Sequence, residues 1–178
     1  MSTIIDTIKS RRSVRDFTDN PVSKDKINTI LDAGRWAPSG LNNQPWRYIV
    51  VKECGTIEQI ATCTHYSNVV QGAPLLIAVF LDHDAEYNYV KDVQAIGASI
   101  QNMLLACCEL ELGAVWLGEI LNQKEKVNSI LDALDPLELM AVLAIGYPVE
   151  VEKDRTSTRK GIVDVTFNEK CGVKWCVD

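Results

Sequence analysis

Ala37-Pro38-Ser39-Gly40-Leu41-Asn42-Asn43-Gln44-Pro45-Trp46 joins a helical pattern ending near Gly34 to an apolar run at Tyr48 to Val51. Two prolines fix the backbone at the ends of this loop, and Gly40 permits angles closed to other residues. Ser39, Asn42, Asn43 and Gln44 then place hydroxyl and amide donors and acceptors on a rigid frame. Such a loop has two uses: it can recognise a planar polar ligand, or its amides can satisfy their own backbone in turns. The flanking sequence bears on the choice.

Upstream, Ser2 or Thr3 can cap a short helix with an apolar stripe of Ile4, Ile5 and Ile8. It leads into Arg11-Arg12-Ser13-Val14-Arg15-Asp16-Phe17, which carries three cations in five residues. In extended form this segment points Arg11, Ser13 and Arg15 to one side. Guanidinium forks and a hydroxyl match phosphate oxygens; the alternative is a solvated basic edge paired with Asp16 and Asp19. Pro21 and Ser23 open a second helix, about Lys24 to Arg35, with Gly34 at its expected end.

Downstream, Arg47 to Val51 reads as a strand and Thr56 to Thr64 as a short amphipathic helix. Leu75 to Leu81 is a continuous apolar run, the pattern of a central strand. Asp82-His83-Asp84 reads as a solvated loop, since the other histidine, His65, has no ligand spacing to it. Lys91 to Leu112 is the longest periodic segment, a helix stopped by Gly113, whose small residues Ala95, Gly97, Ala98 and Ser99 suit close packing within the chain or between two copies. Ala114-Val115-Trp116-Leu117-Gly118 is a strand running into glycine, where backbone can face a flat ligand or Trp116 can fill a core. Asn122 can cap a helix to about Leu134, Leu139 to Ile145 is a further strand, and the alternation of Ile162, Val163, Val165 and Phe167 predicts a last one.

With 178 residues and 47% hydrophobic content, the expectation is one domain over residues 1–178. A net charge of −6 argues against nucleic-acid or anionic-membrane partners. A signal-peptide pattern and a run of transmembrane length are both absent, and the six cysteines form no CxxC pair, so the expected setting is cytoplasmic with reduced thiols. There is no GxGxxG after a strand, no P-loop, no nucleophile elbow and no HExxH pair.

Set side by side, Arg11 to Phe17, Ala37 to Trp46 and Leu112 to Gly118 resemble the nitroreductase family of FMN-dependent oxidoreductases. The family's R-R-S-x-R-x-[FY] stands as Arg11 to Phe17, its A-P-S-x-x-N-x-Q-P-W as Ala37 to Trp46, and its G-[LA]-x-x-x-W-[IL]-G is approximated by Leu112 to Gly118. The likeness runs from Ile4 to Phe167 in the same order. It implies an α+β fold with a mainly antiparallel central sheet flanked by helices, in an intertwined homodimer with FMN at the subunit interface. It further implies that Arg11, Arg12, Ser13 and Arg15 hold the phosphate, ribityl chain and pyrimidine edge of FMN, joined by Arg159, with Arg155 and Lys160 near it. Pro38, Ser39, Gly40, Asn42 and Gln44 would come from the partner subunit, and the Leu117-Gly118 backbone would face the flavin ring. Electrons would pass from NADH or NADPH through flavin N5 to a small acceptor such as a nitroaromatic or quinone. No catalytic acid or base is implied, because the cofactor carries the reaction. A specialised flavin dehydrogenase or dehalogenase of the same superfamily, or a non-catalytic FMN-binding protein, are the alternative expectations.

Overall fold

Strand β2 (Leu75–Asp82) is buried along its whole length, because the sheet is covered on both faces. The computed structural model describes residues 3–149 and 159–176. Among them β1 (Trp46–Val51), β2, β3 (Gly113–Leu117) and β4 (Leu137–Gly146) form a sheet in the order β1-β2-β4-β3, with every neighbouring pair antiparallel. Leu75, Ile77, Val79 and Leu81 face helices α2 (Lys24–Arg35) and α5 (Tyr89–Glu109); Leu76, Ala78 and Phe80 face α3 (Cys54–Ala61), α4 (Ser67–Gln71) and α6 (Lys124–Ile130). The continuous apolar run is thus an alternating strand with two dry faces.

Strand β4 follows the same alternation with one interruption. The register shifts between Val79 and Phe80, so that Val79 pairs with Ala141 while Phe80 pairs with Leu139. Met140 is the extra residue of a β-bulge, and it joins Ala141 on the α5 face. Leu139, Val142 and Ala144 therefore share the opposite face despite their mixed parity.

Helix ends differ from the sequence expectation where glycine does something other than stop a helix. Helix α2 spans Lys24–Arg35 as expected, but Gly34 lies inside its last turn, where a Cβ would run into Met103 and come within 3.1 Å of the Tyr48 hydroxyl. Helix α5 starts at Tyr89, where Asn88 accepts from the Lys91 amide at 3.2 Å. It ends through Glu111, a non-glycine residue with φ +59, and the Leu112 amide reaches back to the Cys107 carbonyl at 2.8 Å. Gly113, the expected stop, is instead the first residue of β3, and a Cβ there would lie 2.6 Å from two side-chain carbons of Val14. Helix α1 (Ile4–Ser10) is capped by Thr3 and Asp6 in a reciprocal box, with Ile4, Ile5 and Ile8 all exposed. Asn122 lies in a 3-10 segment, Glu119–Gln123, and α6 begins only at Lys124. The predicted last strand is absent among the described residues: Ile162–Asp164 is a 3-10 turn whose Gly161 amide bonds Asp164, and a single bridge links Phe167 to Lys174. The apolar alternation there lacks a neighbouring strand to complete a ladder.

The turn after β2 is knitted rather than merely solvated. Asp82 pairs with Arg47 at 2.5 Å, and His83 places Nδ1 2.7 Å from Glu86 and Nε2 3.1 Å from Glu138, which also pairs with Lys124 at 3.2 Å. No group of three or more His, Cys, Asp or Glu side chains among the described residues is arranged to hold a metal.

Two outcomes follow from this packing. Gly113→Ala forces Val14 away from β3 and should lower unfolding free energy by about 1–3 kcal/mol in urea titration, the range for overpacking a tight contact. The hydrogen bond to Glu86, reinforced by Glu138, raises the His83 pKa above 6.5 against an opposing effect of burial. A folded-state pKa raised above the unfolded value stabilises fully below the latter and is lost as pH climbs through the former. His83→Gln should therefore depress Tm more at about pH 5.5 than at about pH 9. An equal depression at both would show that ionisation of His83 contributes nothing.

Candidate functional site

The arginine segment leaves α1 in extended form and docks on the edge of β3. Ser13 bridges Ala114, the Val14 amide donates to the Ala114 carbonyl at 3.1 Å, and Phe17 bridges Pro148 and is buried. Between this segment and the C-terminal end of α5 lies a cavity of about 750 Å³. Arg11, Arg12, Ser13 and Arg15 all line it, but so do Val14 and Asp16, so the cavity takes side chains of both parities rather than one side of a strand. Cys108 and Glu111 of the α5 end line its other wall.

The three guanidinium groups are not equivalent. Arg12 donates through one terminal nitrogen to the Lys9 carbonyl at 2.7 Å and the Arg11 carbonyl at 3.0 Å, closing the end of α1. Arg11 and Arg15 make no ion pair with Asp16, Asp19 or any other carboxylate among the described residues. That speaks against the paired basic edge. Lys26 is committed elsewhere, donating to the Leu110 carbonyl at 2.7 Å and lying over the Tyr147 ring.

Strand β3 leads away from the cavity. Leu117 is buried and anchors the strand end, while Gly118 is exposed and a Cβ built on it meets nothing within 4 Å. Trp116 is 42% exposed rather than in the core, with its ring 3.9 Å from where a Cβ on Gly97 would lie. An edge strand with one anchored residue and open backbone beyond it can take a flat ligand.

The amide-rich Ala37 to Trp46 loop lies at the other end of α5. Gly40–Asn42 form a 3-10 turn, and Leu41, Asn42 and Gln44 have positive φ of 52, 57 and 49. The unusual angles thus fall on its neighbours, whereas Gly40 makes room for Tyr87, whose ring would lie 2.7 Å from a Cβ. Each such non-glycine conformation costs about 1–3 kcal/mol. Local bonds offset part of this: the Gln44 amide donates to Ser39 Oγ at 3.0 Å and Gln44 Nε2 to the Asn42 carbonyl at 3.3 Å. Pro38, Asn42 and Gln44 are exposed, and Ser39 and Gly40 half-buried.

Asn43 turns inward instead. Its Nδ2 donates to the Ala85 carbonyl at 2.8 Å and to Asp92 Oδ1 at 3.0 Å. Asp92 is fully buried, and its Oδ2 accepts from the Tyr87 and Asn88 amides at 2.7 and 2.9 Å. Burial raises the Asp92 pKa, but the bonds from Asn88, Asn43 and Tyr87 outweigh it and hold the carboxyl below the usual value. Sequence reading missed Asp92. Its signal was an acidic residue on the apolar stripe of a helix, in register with Ala95, Ile96 and Ser99.

Asp92 and Cys108 are sixteen residues apart on α5, about 24 Å at 1.5 Å per residue. The structure therefore joins the arginines to β3 within one chain and sets the loop far from them. Arg159 is exposed and is not among the residues lining the cavity, and Lys160 is also exposed. Arg155 lies outside the described residues.

The family model described as Nitroreductase family matches residues 8–65 and 57–147, which include the arginine segment, the loop and β3. A Desulfovibrio desulfuricans protein assigned as a nitroreductase, solved in complex with FMN, matches with TM-score 0.87 and 44% identity over 96% of this chain and 98% of that one. Proteins assigned as NADH dehydrogenase/NAD(P)H nitroreductase from Methanothermobacter thermautotrophicus and Archaeoglobus fulgidus are 34% and 32% identical, over 83% and 86% of this chain and 78% and 90% of their own lengths. On the motifs, the antiparallel fold and these matches together, the chain belongs to the nitroreductase family.

Proposed function

We propose that this protein is an FMN-dependent oxidoreductase that uses NADH or NADPH to reduce a small acceptor such as a nitroaromatic or quinone, working as a homodimer. The observation that carries the reading is the cavity in which Arg11 and Arg15 stand without carboxylate partners at the start of β3, with open backbone at Gly118 beyond its end. The donor set fits the cofactor: two uncommitted guanidinium groups and the Ser13 hydroxyl suit a phosphate dianion, and the open strand edge suits a flat ring. When bound, FMN would supply the two-electron chemistry.

The chain's residues would bind and orient. Arg11, Ser13 and Arg15 would hold the phosphate and ribityl chain, and Arg12 would contribute whatever donors its helix-closing bonds leave. Leu117 fixes the backbone that Gly118 exposes to the ring. Arg159 belongs to the same set if the tail is brought to the site by assembly. Pro38, Ser39, Gly40, Asn42 and Gln44 would face the flavin of the other subunit.

Two features support a dimer. The loop and the arginine cavity occupy opposite ends of α5, so each is better placed to complete a site with a second chain. Apolar side chains are also exposed in excess: Ile4 and Ile5 on α1, Leu41 on the loop, and Ile162, Val165, Phe167 and Trp175 on the tail. No helix among the described residues is long and apolar enough to cross a membrane, and all six cysteines are free, in keeping with a cytoplasmic setting.

The purified protein should be yellow, carry about one FMN per chain and bleach on anaerobic addition of NADH or NADPH. A colourless protein that does not take up FMN overturns the reading. Arg11→Ala/Arg15→Ala should weaken FMN binding by about a hundredfold or more, since each charge-assisted contact is worth about 1.5–3 kcal/mol. Titration of the apoprotein checks this, with unchanged apoprotein melting as the control. Unaltered affinity would remove the arginines from the site.

A further inference from the structure

We propose that Asp92, acting through Asn43, is the positioning residue that holds the Ser39 to Gln44 loop in the conformation it presents to a bound flavin. The inference rests on the flavin-site reading above and adds to it a latch whose carboxylate lies outside every sequence motif.

The loop is poorly suited to keep its own shape. Three of its residues, Leu41, Asn42 and Gln44, hold left-handed backbone angles without being glycine. Beyond the two backbone bonds of its 3-10 turn, Asn42 amide to Ser39 carbonyl and Asn43 amide to Gly40 carbonyl, its internal side-chain bonds, Gln44 amide to Ser39 Oγ and Gln44 Nε2 to the Asn42 carbonyl, lie on exposed groups and compete with water. Among the described residues, the one side chain of the loop that ties it to the rest of the molecule by part-buried hydrogen bonds is that of Asn43. It lies between two residues with positive φ, so its position governs the direction of the chain on both sides.

Asn43 performs this role because a primary amide has two hydrogens. Nδ2 spans two acceptors, the Ala85 carbonyl on the β2–α5 turn and Asp92 Oδ1 on α5. Asp92 is in turn fixed by the Tyr87 and Asn88 amides on its other oxygen, and Tyr87 packs its ring against Gly40. The loop is thereby gripped twice by one short stretch, from within at Asn43 and from outside at Gly40. Asn43 Oδ1 is buried with no hydrogen-bond partner among the described residues. The amide is thus oriented by its donors alone, and both of those point to acceptors.

The chemistry at Asp92 requires an acceptor in both directions. Asp92→Asn keeps the shape but offers only one acceptor oxygen, so its amide nitrogen must face either the Tyr87 and Asn88 amides or the Asn43 amide. Asn43→Ala deletes the span and leaves the Asp92 bonds from the Tyr87 and Asn88 amides in place. The pair separates a latch from a helix cap.

The test combines an exchange measurement on FMN-free protein with flavin binding. In the apoprotein, hydrogen exchange at residues 39–44 should accelerate in both variants while the sheet stays protected. FMN binding should weaken about tenfold in each, as for loss of one charge-assisted hydrogen bond, and the visible bands of the bound flavin should move toward those of free FMN. Because the residues act in series, Asn43→Ala/Asp92→Asn should be no worse than the weaker single variant. The proposal is overturned if loop exchange and the bound-flavin spectrum match wild type in both variants, which would leave Asp92 as a cap of α5. Strictly additive losses in the double variant overturn it as well. If wild type takes up no FMN the function proposed above falls, and the exchange measurement on the loop still decides whether the latch exists.

Discussion

Every other element depends on the dry burial of β2 between two helical layers. Its seven apolar residues and their neighbours on β4 give two separate cores, one under α2 and α5 and one under α3, α4 and α6. Burying both faces leaves a strand with no tolerance for a polar side chain until Asp82, which is admitted only with Arg47 beside it. The sheet is thereby fixed as a rigid slab, and functional groups can be placed only along its rim and at the ends of the helix that crosses it.

Helix α5 does most of that placing. Its C-terminal end, turned by Glu111 and held by Lys26 at the Leu110 carbonyl, forms a wall of the arginine cavity. Its N-terminal end carries the buried carboxylate that grips the amide-rich loop. A single rigid rod thus sets the separation between the arginine cavity and the amide-rich loop. Electrostatics follows the same division: uncommitted cations sit at one end, and neutral amides with a buried anion behind them at the other.

Much of this was legible from residue types. The continuous Leu75 to Leu81 run points to the central strand, the Lys91-to-Leu112 periodicity to the long helix that runs Tyr89–Glu109, and the three motifs to the family. Glycine was harder to read, because the same residue stops helices and admits close neighbours. Gly34 and Gly113 read locally as helix ends, yet both make room for neighbours, Met103 and Val14. Gly40 reads as the residue with special backbone angles, yet its neighbours adopt them and its own task is to accept the Tyr87 ring. These are contacts between segments remote in sequence, on which local pattern is silent. The same holds for the tail, where alternating apolar residues from Ile162 to Phe167 promised a strand but find no partner strand within the described chain. The pairing of Asn43 with Asp92, 49 positions apart, could be found only in three dimensions.

The bulge at Met140 has a consequence for how the sheet finds its register. Below it, residues of one parity on β4 face α5; above it, residues of the other parity do. Sliding β4 by one residue would invert both stretches at once, and no other offset keeps the extra residue opposite Val79. The irregularity works as a key cut into an otherwise repetitive edge, so that strands made almost wholly of interchangeable aliphatic residues can dock in one alignment.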